Sequence, residues 1–144
     1  MKTLAALVGF CLWAAYSPGY AQEVAKDTMH VKAKVEHHFG IKELDVFHKT
    51  LHPLVHESMP DGDYETIRAH IGDLQEEAMA IGKAKLPKKF ASRKKEFQKQ
   101  SQVLVEQLTE LNEIKDKVDD DTFVNKFNEM HEAFEQLAGL LTEE

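Results

Sequence analysis

The chain has 144 residues and carries 18 Lys and Arg against 25 Asp and Glu, a net charge of −7. An acidic chain of this length makes one domain with its own core and is a poor binder of nucleic acid. Its only cysteine is Cys11, which excludes an internal disulfide and a Cys-based zinc site.

The chain opens on Met1-Lys2-Thr3, a short basic start, followed by the apolar run Leu4 to Ala15. Those 12 residues are too few for a hydrocarbon core of ~30 Å. Gly19 and Ala21 then supply small residues at the −3 and −1 positions of a cleavage site. This pattern predicts a signal peptide over residues 1–21, with a cut after Ala15 as the alternative. The protein is then periplasmic or secreted, with no stable membrane insertion after cleavage. Taking 21 from 144 leaves 123 residues, 17 basic and 25 acidic, and no thiol. Thiolate catalysis and covalent haem attachment are thereby excluded.

Residues 22–39 read as a polar arm holding Met29-His30 and His37-His38. Imidazole with thioether suits copper, and imidazole alone suits zinc, nickel or copper. Residues 40–144 carry the helix signals. Ile41, Leu44, Phe47, Leu51, Leu54 and Val55 mark one face of a first helix running to about Ser58. Pro53 lies inside it, and the missing N–H predicts a kink.

Met59 to Asp63 is a turn with a helix start. The second helix shows Tyr64, Ile67, Ile71, Leu74, Ala78 and Ile81, and ends at Gly82 and Leu86-Pro87. The third runs from Phe90 or Ser92 to Val118, with Phe97, Leu104, Leu108, Leu111 and Ile114 on one side. Asp119-Asp120-Asp121 caps a fourth helix carrying Phe123, Phe127, Met130, Phe134, Leu137 and Leu141. Four amphipathic helices with short loops predict an all-α, antiparallel up-down-up-down four-helix bundle. The lysines and arginine between Lys83 and Lys95 read as a solvated bundle end, with an anionic-partner site as the alternative.

His48, His52 and His56 stand four residues apart in FHKTLHPLVHES, a spacing that stacks side chains along one helix face. Neutral imidazole is the commonest protein ligand for transition metals and also binds haem iron. Counting back from the first turn and forward into the second helix, His52 and His70 lie level; His48 and His131 lie level one turn away. At ~100° per residue, His48, His131 and His70 point about 50–60° from the core direction, His52 about 95° and His56 about 135°. The expected metal site is therefore His48, His52, His70 and His131, with zinc or copper as the ion, and His56 turned to solvent.

The last helix, KFNEMHEAFEQL, resembles the final helix of the cytochrome b562 and cytochrome c′ group of periplasmic four-helix bundles. His131 and Phe134 fit the haem-binding histidine and its aromatic neighbour, while Phe127 and Met130 stand where a Cys-x-x-Cys pair would be. The resemblance implies a bundle and a non-covalent haem b, held by His131 with His48 in place of the first-helix methionine. FHKTLHPLVHESMPDGDYETIR also looks like uncharacterised secreted bacterial His-rich helical proteins.

His131-Glu132-Ala133-Phe134-Glu135 lacks the second histidine of H-E-x-x-H, and Asp45-x-x-His48 is only a single half of a di-iron pattern. No phosphate-binding glycine loop or nucleophile elbow is present. The expected function is metal binding, storage or delivery, not enzymatic catalysis. The alternatives are a haem-binding protein and a helical interaction module without a cofactor. The sequence identifies no protein partner.

Overall fold

The computed structural model describes residues 38–142, all helix, turn or loop, with no strand among them. The expected signal peptide and the arm histidines His30 and His37 lie outside the described residues. Four helices enclose one core.

Helix α1 spans Lys42–Pro53, continues through a π turn at Leu54–Ser58 and closes with an α turn at Met59–Asp61. Its first turn has no side-chain cap, but Glu43 and Asp45 complement the positive end of the helix dipole. Asp45 also reaches back to accept from the Phe39 N–H at 2.8 Å, which ties the entering chain to the helix. Pro53 cannot donate to the carbonyl one turn earlier. A π turn follows directly after it, where the Met59 N–H bonds the Leu54 carbonyl. Gly62, at φ 70°, stops the rod in the left-handed conformation that suits glycine.

Helix α2 spans Tyr64–Ile81 and α4 spans Asp120–Gly139. Each begins on a carboxylate cap: Asp63 accepts from the Thr66 N–H at 3.2 Å and Asp119 from the Thr122 N–H at 2.8 Å. The threonine hydroxyl in each cap, and then the same residue's N–H, favour the ionised form and lower both acids below the ordinary aspartate value. Helix α3 spans Lys94–Ile114 after a 3-10 segment at Lys88–Arg93. The third helix expected from Phe90 or Ser92 to Val118 is thus shorter at both ends, because the chain entering from Pro87 winds tightly before it relaxes into α geometry.

The core holds Leu44, Phe47, Leu51, Ile67, Ile71, Leu74, Leu104, Leu108, Phe123, Phe127 and Met130, all but sealed from solvent. Hydrogen bonds fix the register of neighbours. Lys115 donates to the Arg68 carbonyl at 3.3 Å, while Gln75 and Thr109 bond at 2.9 Å, so α2 and α3 run in opposite directions. Lys126 with Glu110 at 3.2 Å, and Arg93 with the carbonyls of Leu140 and Thr142, do the same for α3 and α4.

Candidate metal-binding ladder

The ladder forms. His48 and His52 have ring centroids 5.4 Å apart, and His52 and His56 only 4.4 Å. The shorter step spans the π turn. A π turn holds more residues than an α turn, so side chains four apart come more nearly into line across it. His56, expected to face solvent, does so, and its ring still continues the ladder. It is exposed, as is His52, while His48 is half-buried.

His48 is held by aromatics. Its ring stacks on Phe134 of α4 at 5.9 Å with 17° between planes, and meets Phe39 edge-on at 5.4 Å. Phe134 also packs on Phe47 at 5.1 Å and on Phe39 at 6.0 Å. This aromatic group closes the seam between α1 and α4. The apolar periodicity predicts Phe47 and Phe134 as core, but not Phe39, whose place depends on the Asp45 tether.

His131 lies one turn before Phe134 on α4, about three-quarters buried, and faces Glu135 at 3.7 Å. His70 goes elsewhere. It lines an open groove of about 790 Å³ between α1 and α2, beside Thr50, Pro53, Thr66, Asp73 and Glu77. Its Nδ1 lies 2.9 Å from the Thr66 carbonyl, an acceptor only, so Nδ1 carries the proton. Val46, Thr50 and Pro53 share that groove flank of α1, whereas His48 and His52 lie on the opposite flank by helical rotation.

The expected four-histidine meeting point of His48, His52, His70 and His131 is therefore corrected: α1 stands between His70 and the ladder. Equal height along a bundle does not bring two side chains together when they flank opposite sides of a helix. Among the described residues, no group of three or more His, Cys, Asp or Glu is arranged to hold a metal ion. What the fold does assemble is a row of imidazoles taken in pairs. In the groove, Glu77 accepts from the Thr50 hydroxyl at 2.9 Å, while its second oxygen is buried without a partner. Burial, with Asp73 nearby as a lesser influence, raises the Glu77 carboxyl above its ordinary value.

No helix among the described residues is long and apolar enough to cross a membrane. No family model, curated protein or solved structure matches the chain.

Proposed function

We propose that this protein binds a transition-metal ion through the α1 ladder, with His52 and His56 as the principal clamp and His48 as the adjoining ligand. Binding, storage or delivery fits such a site better than catalysis. The supporting observation is the ring spacing of 5.4 and 4.4 Å. An ion bonded to two imidazoles at ~2.0–2.1 Å, at angles between square-planar and tetrahedral, holds their centroids roughly 4.5–5.5 Å apart. Two imidazoles on an exposed helix face leave further coordination positions open to water. Copper and zinc are the ions best matched to that donor set.

The haem alternative requires a porphyrin between His48 and His131. It would have to displace the Phe134 ring, which is 4% exposed and already packed on Phe47 and stacked on His48. The bare ladder asks for no such rearrangement.

Thermal unfolding with zinc, copper, nickel, cobalt or haem, at pH 7.5 and 5.5, tests the reading. A metal at ~100 times its dissociation constant adds ~2.7 kcal/mol to stability. That gain disappears in the His52→Ala/His56→Ala double variant and persists in His70→Ala. It also shrinks at pH 5.5, because imidazole must be free of its proton to bind a metal. The exposed double variant unfolds within ~0.5 kcal/mol of the parent without metal. No shift with any metal sinks the proposal in favour of an interaction module, and a Soret band on haem titration redirects it to haem.

A further inference from the structure

The charge of this chain is strongly segregated. Residues 83–99 contain eight Lys and Arg and one carboxylate, Glu96. The rest of the chain then holds 10 of the 18 cations and 24 of the 25 acids. A segment of +7 sits in a remainder of −14.

The fold concentrates that segment at one end. It comprises the connection from α2, the 3-10 turn and the start of α3, where Lys83, Lys85, Lys88, Lys94 and Lys95 are all exposed. None of these five forms an ion pair among the described residues. Lys94 and Lys95 also lie in the first turn of α3, where the helix dipole opposes positive charge. Local helix stability does not account for their position. The opposite end carries the α1–α2 and α3–α4 connections with exposed Asp61, Asp63, Asp116, Asp119 and Asp121.

We propose that the lysine-rich end docks on an anionic phospholipid surface, with the bundle end-on and its acidic end directed outward. A charged plane attracts the cationic end and repels the acidic one, so it orients the molecule as well as holding it. A second copy docking head-to-tail would propagate an open chain, with no symmetry to close it. Nucleic acid is a poorer match. Phe90 and Phe97, the aromatics within the segment, are each 3% exposed and cannot stack on a base. Arg93, its only arginine, is committed to the carbonyls of Leu140 and Thr142.

The test is flotation of the full chain with phosphatidylglycerol–phosphatidylcholine vesicles and with phosphatidylcholine alone, at low and high salt. Wild type and variants share the apolar N-terminal run, so only the lysines differ. Each lysine near an anionic bilayer raises partitioning roughly fivefold. The variant Lys85→Gln/Lys88→Gln/Lys94→Gln/Lys95→Gln therefore loses at least ~25-fold, the share of two contacting lysines. The matching Lys→Arg variant keeps its binding, and high salt abolishes binding in both. Equal binding to neutral and anionic vesicles overturns the proposal, as does an unaffected Gln variant with native circular dichroism. Tighter retention of an oligonucleotide than of vesicles reassigns the patch to nucleic acid.

Discussion

Replacing Phe134 by Ala tests the seam that supports the ladder. The side chain is 4% exposed, and its ring centroid lies 5.1 Å from Phe47, 5.9 Å from His48 and 6.0 Å from Phe39. All three separations fall in the ~4.5–7 Å range of attractive ring pairs. Truncating a buried Phe to Ala costs ~3–5 kcal/mol, the upper half applying where neighbours cannot collapse into the space. Here the opposing wall is Phe47, itself fully buried, so ~4 kcal/mol is expected. A domain of this size is stable by roughly 5–15 kcal/mol, so the variant still folds but loses a large share of its margin. Urea unfolding followed by circular dichroism reads the loss. With a slope of ~1–3 kcal/mol per molar, the midpoint falls by about 2 M. A loss below ~1 kcal/mol at unchanged slope would show that Phe134 is not packed between α1 and α4 as described.

Glu77→Gln keeps an acceptor for Thr50 and removes a half-buried charge. Because burial raises the folded carboxyl above 4.5, the stability linked to its proton is present below that value and is lost as pH rises through the folded value. The variant is therefore at least as stable as the parent at pH 7, and the difference in melting temperature between pH 4 and pH 7 narrows; a variant weaker at pH 7 and equal at pH 4 contradicts this. Arg68 donates to Asp120 at 2.8 Å and to the Val118 carbonyl at 3.4 Å, and its guanidinium lies 4.1 Å from the Phe123 ring centre. Arg68→Ala removes charge-assisted bonds from a site with 15% side-chain exposure, and a loss of ~2 kcal/mol in chemical denaturation is expected.

Helix count and core face were legible because each apolar stripe repeats at the helical period. Leu44, Phe47, Leu51, Ile67, Ile71, Leu74, Phe127 and Leu137 all lie where that period puts them. Val55, Tyr64 and Ile114, at the margins of their stripes, are only half-buried. Ser101, Ala133 and Ala138 are buried without an apolar signal strong enough to mark them, and Ser101 satisfies its hydroxyl on the Phe97 carbonyl at 2.7 Å.

The histidines were legible as a row but not as a site. Height along a helix follows from counting, whereas the flank a side chain occupies matters only once the neighbour on that flank is known. Thus His48 meets α4 and His70 lines the groove beside α2, although the two differ little in height. A constant 100° per residue turns His56 to solvent, where it lies, but does not foresee the π turn after Pro53 that accompanies its 4.4 Å approach to His52.

That change of winding makes the first helix tolerant of length. A π turn stores one residue more than the α turn it replaces. Deleting Val55 would let the segment anneal to regular helix, while Leu44 to Leu51 before it and Gly62 after it keep their places. The same deletion would put the histidine pair three residues apart instead of four, and so alter the angle at which two rings can share an ion. Chain length and ligand geometry are coupled at that single turn, which Leu54 and Val55 fasten to the core.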